Sequence, residues 1–402
     1  MSALGAERPL GELCEFQRGL TYGKSDEVAL SENVVLRANN IDLATNTLDF
    51  SELRYIAPSV QVPESKRVRA GALLICTASG SKSHLGKVAY VDADYGYAFG
   101  GFMGQLVPAQ GVEGRYLFHA LTSPRYKLFI DELSDGLNIN NLKFDDLRRF
   151  QIPVPGVEEQ RRIVAILDEA FEGIATAKVH AEKNLRNARE LFESRLREVF
   201  SAASDSWAQV VLGDVCNIAR GGSPRPIKEF LTSEPDGINW VKISDATASE
   251  KYIFATAERI KPAGVSRSRL VHDGDFLLSN SMSFGRPYIM RTTGCIHDGW
   301  LVLSNYQGTF RQDFLYLLLG SSFVYQQFDR LAAGSTVRNL NIDLASSVRL
   351  PAPPLDEQVA IAEELDELGR AIDQLSDVCR RKVAALDELK QSLLHQAFSG
   401  AL

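Results

Sequence analysis

One stretch of the sequence occurs twice and decides the fold: Ile152-Pro-Val-Pro-Gly-Val-Glu-Glu-Gln160 and Leu350-Pro-Ala-Pro-Pro-Leu-Asp-Glu-Gln358. In each copy the prolines favour extended backbone, and the acidic residues after them favour the first turn of a helix. No proline interrupts the 43 residues from Glu158 to Phe200, or the 43 residues from Asp356 to Phe398. Each copy therefore predicts an extended segment that runs into one long helix.

The repeat extends to the rest of the chain. Leu10-Gly-Glu-Leu-Cys14 returns as Leu212-Gly-Asp-Val-Cys216, and Arg18-Gly19 returns as Arg220-Gly221. The offset between the copies drifts in the early part, which indicates small loop insertions. From Asn141 onward it stays at 198 residues, which indicates a rigid element whose length matters. The sequence therefore consists of two similar halves.

A globular part precedes each long helix. Short apolar runs such as Ala72–Cys76 and Lys87–Val91 alternate with Gly and Ser and predict strands and turns, whereas Tyr116–Leu121 and Phe314–Leu319 predict helices. We predict a mixed α/β fold with a pseudo-two-fold internal repeat. Its four parts are globular domains at 1–151 and 203–351 and helices at 152–202 and 352–402.

Both long helices carry apolar residues that alternate by four and three, which is typical of a coiled-coil seam. The predicted seam residues are Ile163, Leu167, Ala170, Ile174, Ala177, Ala181, Ala188 and Leu191 in the first helix, with Asn184 in the same series, and Ile361, Leu365, Leu368, Ile372, Leu375, Leu386 and Leu389 in the second, with Cys379 and Lys382 in the same series. The first seam is rich in Ala and the second in Leu, so pairing the two helices keeps the packing volume even.

The direction of pairing is predicted to be antiparallel, with Glu158 beside Phe398, so that Ala170 faces Leu386 and Leu167 faces Leu389. Parallel pairing would also set small residues against large ones, so the direction rests on the topology of two similar halves in one chain. At about 1.5 Å per residue such helices span roughly 65 Å and would hold two globular heads apart. Two separate amphipathic helices, each packed on its own domain, remain the alternative.

Composition excludes several classes of protein. The net charge of −7 argues against a simple electrostatic DNA binder, and no apolar run or basic leader predicts a membrane span or a secretory signal. The five cysteines are scattered without a Cys-x-x-Cys pair, so we expect reduced thiols, a cytoplasmic location and no metal site.

Catalytic motifs are not evident. A base-methylating site needs a polar-Pro-Pro-aromatic segment, but Ala352-Pro-Pro-Leu355 lacks both ends. Phe99-Gly-Gly-Phe-Met-Gly104 lacks the strand–helix context of a nucleotide loop and is interpreted as a turn. Glu388-Leu-Lys390 falls among the charges of a helix surface and is not interpreted as a nuclease motif. The chain is therefore predicted not to be an enzyme.

A strand-rich domain that ends in Ile/Leu-Pro-x-Pro-x-x-x-Glu-Gln and runs into a long helix, repeated once, resembles the specificity subunits of type I restriction–modification systems. The Leu-Gly openings at Leu10 and Leu212 and the closing Gln396–Leu402 are also similar to that family. The resemblance covers essentially the whole chain.

The resemblance implies that each globular domain is a target-recognition domain that reads one half of a bipartite site in double-stranded DNA. It implies that the helices set a fixed spacer and bind two methyltransferase subunits, and that a restriction and translocation subunit joins through them. S-adenosylmethionine, ATP and Mg²⁺ would then belong to the partner subunits and none to this chain. Because the loops of the two domains differ, the full site is expected to be non-palindromic.

Candidate DNA-binding residues lie in loops rich in Gly, Ser and basic side chains, where base edges and phosphates can be approached closely. They are Arg18, Thr21, Tyr22, Lys24, Arg37, Asn39, Asn40, Ser79, Lys82, Ser83, His84 and Lys87 in the first domain, and Arg220, Ser223, Arg225, Lys228, Lys242, Asn280, Ser281, Ser283 and Arg286 in the second. For any one of them, a plain surface turn with a solvated charge is the alternative.

Glu159, Gln160, Glu357 and Gln358 are candidate subunit contacts, because they recur where the family docks its methyltransferases. Helix capping would also explain them. Under the contact hypothesis, replacing both glutamines by Ala should weaken assembly more than folding.

Two other functions remain open from the sequence. The chain could read DNA for a restriction enzyme of another type that uses the same architecture. It could instead be a coiled-coil scaffold that joins two protein-binding heads. Enrichment of two short DNA words at a constant gap would favour DNA reading, and no enrichment would favour the scaffold.

Overall fold

The structure is a computed structural model that describes residues 5–135, 141–202, 207–249, 251–280, 285–332 and 340–402. It divides into two compact units, Met1–Ala181 with Arg380–Leu402, and Glu182–Cys379. Each unit holds one strand-rich head and a part of each long helix. The predicted division into four consecutive segments stays a prediction.

The first unit contains ten strands and the start of the first long helix among its described residues. The strands are β1 Ala6–Pro9, β2 Cys14–Arg18, β3 Glu27–Val28, β4 Asn33–Leu36, β5 Arg54–Ile56, β6 Leu73–Cys76, β7 Val88–Tyr90, β8 Ala98–Phe99, β9 Met103–Pro108 and β10 Gln151–Val154. The helices are α1 Leu10–Leu13, α2 Gly114–Ala120, α3 Pro124–Asp135, α4 Phe144–Leu147 and the long α5 Val157–Ala202. One sheet has the order β2-β9-β6-β7 and the other β3-β5-β4-β8. We call β1 to β10 with their helices the first head.

The second unit repeats this plan with one more strand in each sheet. Its strands are β11 Ala208–Val211, β12 Asn217–Arg220, β13 Leu231–Thr232, β14 Ile238–Val241, β15 Tyr252–Ile253, β16 Glu258–Ile260, β17 Arg269–Val271, β18 Phe276–Ser279, β19 Pro287–Met290, β20 Gly294–Ile296, β21 Trp300–Ser304 and β22 Arg349–Ala352. Its helices are α6 Leu212–Val215, α7 Ile227–Phe230, α8 Ile243–Ser249, α9 Gln312–Gly320, α10 Ser322–Ala332, α11 Ile342–Ser346 and the long α12 Leu355–Ser399. The sheets have the orders β12-β21-β18-β19-β15 and β13-β16-β14-β20-β17. We call β11 to β22 with their helices the second head.

The predicted mixed α/β repeat is confirmed, and a two-stranded ribbon closes each head before its helix begins. In the first head Ala6 pairs with Val154, and in the second Ala208 pairs with Ala352, both antiparallel. The ribbon uses the segment that contains the Pro-x-Pro motif. The motif therefore ends the head and starts the helix in both copies.

The repeated glutamine joins each head to its helix. Gln160 has no exposed surface; its Oε1 accepts from the Glu113 N–H at 2.9 Å, and its Nε2 donates to the carbonyl oxygens of Gly111 at 3.2 Å and Pro155 at 2.9 Å. Because every bond is internal, the expectation that this residue contacts another subunit is corrected: it holds the helix start against its own head.

Gln358 makes the same three bonds in the second unit, with the Arg311 N–H at 2.8 Å and the carbonyl oxygens of Thr309 at 2.9 Å and Pro353 at 2.8 Å. It too is fully buried, so the same correction applies. Each glutamine thus satisfies three backbone groups that would otherwise be buried unpaired.

The long helices pack antiparallel within each unit, as predicted. In the first unit, Lys178 forms an ion pair with Asp387, and Lys390 Nζ lies 5.1 Å from the ring centre of Phe171. In the second unit, a Cβ at Gly369 would lie 3.8 Å from Phe192, and Arg195 forms an ion pair with Glu364 at 2.7 Å. In both units a later position on α5 meets an earlier position on α12.

The predicted register was wrong. It would place Phe171 opposite Ala385, but the structure places Phe171 against Lys390. The core of the first unit contains Leu394 and Ala397, which lie nearer the end of α12 than the predicted partners do. Since small-against-large pairing is satisfied by several offsets, the Ala-rich and Leu-rich seams alone do not select the register.

The predicted seam was also wrong at several later positions, although Cys379 of the predicted series is buried and Ala188 and Leu386 are half-buried. Leu191, Leu375 and Leu389 are 60%, 37% and 47% exposed, and Asn184 and Lys382 are exposed, whereas Ser376 is buried at 8% and Phe192 is half-buried. In α5 the inward face advances by four residues from Ala177 to Ala181 and by four again to Leu185. In α12 it advances by four from Leu368 to Ile372 and by four again to Ser376. Such a stutter shifts the seam by one residue.

We expect Gln160→Ala and Gln358→Ala each to destabilise its own unit by on the order of 3 kcal/mol, because each change leaves buried backbone groups without partners. Urea unfolding followed by circular dichroism would measure both. Tryptophan fluorescence should report the Gln358→Ala effect, because all three tryptophans lie in the second unit.

Glu158→Ala is the matched control, since that side chain is 89% exposed at the same helix start; its effect should stay within about 0.5 kcal/mol. Unchanged stability of the glutamine variants, together with lost methyltransferase binding, would restore the subunit-contact hypothesis.

Candidate nucleic-acid interface

Three loops of the first head meet at one place. They are the opening loop at residues 18–24, the serine loop at residues 77–84 and the glycine loop at residues 99–103. The glycine loop lies between the other two: Leu20 N–H donates to Phe99 O at 2.7 Å, and Thr77 N–H donates to Phe102 O at 2.9 Å. Two of the three loops that the sequence indicated as candidate DNA contacts are therefore neighbours.

A close backbone approach explains the repeated Arg-Gly pair. A Cβ at Gly19 would lie 1.9 Å from Gly100 O, and a Cβ at Gly221 would lie 2.0 Å from His297 O. Any side chain at either glycine would collide with backbone. The repeated glycine is therefore required by packing, while Arg18 and Arg220 before it have exposed side chains.

The third candidate loop of the first head is held by internal bonds. Asn40 is 1% exposed; its Oδ1 accepts from the Arg37 N–H at 2.8 Å, and its Nδ2 donates to Asp49 O at 2.8 Å and Glu52 O at 2.9 Å. Asn40 therefore shapes this turn, which corrects its assignment as a base contact. Asn39 beside it is exposed.

Lys87 is likewise structural. It is 7% exposed, and its Nζ donates to Ile41 O at 2.7 Å and lies 3.3 Å from His84 Nδ1. Burial lowers the pKa of Lys87 from its ordinary value. With its ammonium group bound to a backbone carbonyl, Lys87 is not available to a phosphate, and its assignment as a DNA contact is corrected.

In the second head, the candidate residues gather around Asp298, which the sequence analysis missed. Ser223 Oγ donates to Asp298 Oδ1 at 2.6 Å, and Arg225 Nη2 lies 3.7 Å from Asp298 Oδ2. Arg220 Nε and Asn280 Nδ2 both donate to the Asp298 backbone oxygen, at 3.0 and 2.8 Å. The structure therefore brings four of the predicted residues together around the loop that carries Asp298.

The Asp298 side chain is available at this surface as a charged acceptor. It is 49% exposed, and the hydrogen bond from Ser223 holds the pKa of its carboxyl below the ordinary value. A carboxylate in a groove-reading loop can accept from the amino group of cytosine. By contrast, the candidate Asn280 is 1% exposed and supports the loop from below, which corrects its assignment as a reader.

The remaining candidates of the second head are spread out. Lys242 forms an ion pair with Glu258 at 2.8 Å, and the Arg286 guanidinium lies 5.3 Å from the Tyr288 ring centre. Lys228 is exposed on α7. Ser281 and Ser283 lie outside the described residues.

Exposure divides the candidates of the first head. Those with exposed side chains are Arg18, Thr21, Lys24, Asn39, Lys82 and Ser83, and those half-buried are Tyr22, Arg37, Ser79 and His84. Phe102, the exposed tip of the glycine loop, was not predicted from the sequence. An aromatic residue beside a glycine pair in a turn is the signal that could have indicated it.

Glu159 and Glu357 remain candidate subunit contacts. Glu159 pairs with Arg162 at 2.7 Å, and Glu357 accepts from Trp207 Nε1 at 3.0 Å. No three His, Cys, Asp or Glu side chains within the described ranges gather so as to hold a metal ion. Of the helices in the part of the chain that the structure describes, none combines the length and apolar character needed to cross a membrane.

Comparison with known proteins gives consistent relatives. The StySPI specificity subunit of Salmonella potsdam is 24% identical over 422 residues, covering 99% of this chain and 89% of that protein. The EcoKI specificity subunit of Escherichia coli strain K12 is 24% identical, with coverages of 98% and 88%.

Two solved structures share the fold. One is a chain from a study of complex assembly and conformational transition of the type I R-M system, with a TM-score of 0.79, 21% identity and coverages of 99% and 98%. The other is the HsdS subunit from Thermoanaerobacter tengcongensis, with a TM-score of 0.65, 21% identity and coverages of 99% and 97%.

The model of the type I restriction modification DNA specificity domain matches this sequence twice, at residues 6–185 and 204–377. These two matches coincide with the internal repeat and account for most of the sequence. The chain therefore belongs to the family of type I restriction–modification specificity subunits.

Proposed function

We propose that this protein is the non-catalytic, sequence-reading subunit of a type I restriction–modification enzyme, and that each head reads one half of a bipartite DNA site. The observation that carries the proposal is the repeat itself: two heads share one framework and present different side chains at the same loop. At the position of Asp298 in the second head, the first head has Gly101. Different readers on equivalent frameworks favour two different half-sites.

The partners follow from the same proposal. Methyltransferase and restriction subunits carry out the chemistry, with S-adenosylmethionine, ATP and Mg²⁺ bound by them. The complex acts in the cytoplasm, where the five buried and unpaired cysteines of this chain would stay reduced. The continuous helices α5 and α12, of 46 and 45 residues, set the gap between the half-sites.

Selection of bound DNA tests the proposal. The full chain, purified with its methyltransferase, is incubated with random duplex DNA at fixed salt, and the bound fragments are sequenced. We expect two different short words at one constant gap. Identical words would contradict the asymmetry of the heads, and no enriched word would favour a protein scaffold.

We further propose that two methyltransferase subunits dock, one on each repeat. Leu191 and Leu389 occupy equivalent positions of the repeated helix and are 60% and 47% exposed. An exposed leucine alone needs no function, but its recurrence at the equivalent position of both repeats favours two similar docking surfaces.

Leu191→Glu and Leu389→Glu should each remove one methyltransferase subunit from the assembled complex, and the double variant should remove both, because a carboxylate placed in an apolar contact is desolvated without a partner. Native mass spectrometry would count the subunits. Unfolding should be nearly unchanged, since both positions are exposed.

Val179→Glu is the matched control. Val179 is 60% exposed on α5, and its repeat equivalent is Asp377, so one copy of the surface already carries a carboxylate at this position. A wild-type complex with a single methyltransferase, or full occupancy in the double variant, would contradict two-site docking.

A further inference from the structure

Phe102 is an exposed aromatic side chain at the tip of the glycine loop. It is 72% exposed, and the next most exposed aromatic residue among the described part of the chain is Phe254 at 67%. Single exposed apolar residues are common and need no function by themselves. What distinguishes Phe102 is how its backbone is held and what surrounds it.

The backbone of Phe102 is fixed from both sides. Its carbonyl oxygen accepts from the N–H groups of Thr77 at 2.9 Å and Ala78 at 3.1 Å, and from the Thr77 hydroxyl at 3.0 Å. Met103 N–H closes the turn on Gly100 O at 2.8 Å, and Met103 O accepts from the Gly19 N–H at 3.1 Å. A firmly supported loop therefore presents an exposed apolar ring.

The surroundings of the ring are suited to DNA. Thr21 lies against Gly101, and Tyr22 against Gly100, on the opening-loop side. The exposed Arg18 and Lys24 lie at the two ends of that loop, and the Arg18 guanidinium lies 5.3 Å from the Phe144 ring centre. Cations beside an apolar tip are the combination that proteins use when a side chain enters a duplex whose phosphates must be held nearby.

The second head lacks this side chain. Its equivalent loop is tied in the same way, because Asn280 N–H donates to Gly299 O at 3.0 Å, where Thr77 N–H donates to Phe102 O. Gly299 therefore occupies the position of Phe102. Any role of Phe102 is therefore confined to the half-site that the first head reads.

We propose that Phe102 inserts between adjacent base pairs of the half-site read by the first head and partly unstacks them. A phenyl ring can enter a base step from this turn, because the neighbouring Gly100 and Gly101 have no side chains to obstruct it. The hydrogen-bonded backbone keeps the ring in place during insertion. The energy lost in unstacking is offset by stacking on the ring and by closer contact of the flanking loops with the DNA. This inference rests on the proposed DNA-reading function and specifies where the duplex is deformed.

The test uses the complex of the full chain with its methyltransferase, bound to the selected DNA. The fluorescent base 2-aminopurine, which brightens when it is unstacked, replaces in turn each base of the site at which adenine is accepted. We expect the wild type to give one unstacking signal in the first half-site and none at the matching step of the second. We take the methyltransferase to modify one adenine in each half-site; such enzymes extrude their target base, so these two positions give additional signals in both half-sites and serve as internal references.

Phe102→Ala should abolish the first-half signal and lower affinity for the site by about ten-fold to a hundred-fold, the range for one lost aromatic–base stack. Phe102→Trp should retain the signal. Phe254→Ala, which removes an equally exposed phenyl ring from the second head, should leave both the signal and the affinity unchanged.

The outcomes separate this inference from the proposed function. If the wild type selects no DNA, the proposed function fails. If it selects a bipartite site and Phe102→Ala binds that site as well as the wild type, the DNA-reading function stands and the insertion of Phe102 is overturned. Lost affinity without any unstacking signal in the wild type also overturns insertion, because it indicates contact with a base edge.

Discussion

The structure depends on a buried amide at the start of each long helix. Gln160 and Gln358 each bind three backbone groups, two from the loop before a head helix and one from the Pro-x-Pro segment. Backbone groups at such a junction have to be paired once water is excluded, and one planar amide with a donor end and an acceptor end pairs them together. The direction in which each helix leaves its head is therefore set by hydrogen bonds, which are more directional than apolar packing. This explains why the Glu-Gln pair recurs at a constant offset while most surface residues of the two copies differ.

Much of the fold was predictable because it depends on local patterns that occur twice. The proline boundary, the helix starts within two residues of the observed ones, and the mixed strand content all follow from short stretches such as Ile152–Gln160. The role of Gln160 was not predictable. A glutamine beside a glutamate at a helix start is typical of a solvent-exposed first turn, and only the fold shows that the chain from Gly111 to Glu113 covers it.

The helix seam shows a different limit of sequence reasoning. Heptad spacing predicted the inward face correctly up to Ala181 and Ile372, and each helix then makes a second step of four. Leucines at 191, 375 and 389 satisfied the apolar pattern better than Ser376 or Lys390 did, so composition favoured the wrong face. Lys390 is half-buried: its Nζ lies 5.1 Å from the ring centre of Phe171, and its charge is near those of Asp387 and Lys178. Residue type alone therefore misplaces a seam where charged side chains take part in the packing.

The candidate DNA interface combines constraint and variation within a few residues. Gly19 and Gly221 are required because the opening loop passes within backbone contact of the next loop in both heads. The two residues beyond that contact are free of this restriction, and there the heads differ: Gly101 and Phe102 in the first, Asp298 and Gly299 in the second. One head thus presents an apolar ring and the other a carboxylate, from loops anchored by equivalent hydrogen bonds to Phe102 O and Gly299 O. A framework that fixes the loop but not its tip allows the sequence that is read to change without loss of the fold, because the side chains that differ are those that contribute least to stability.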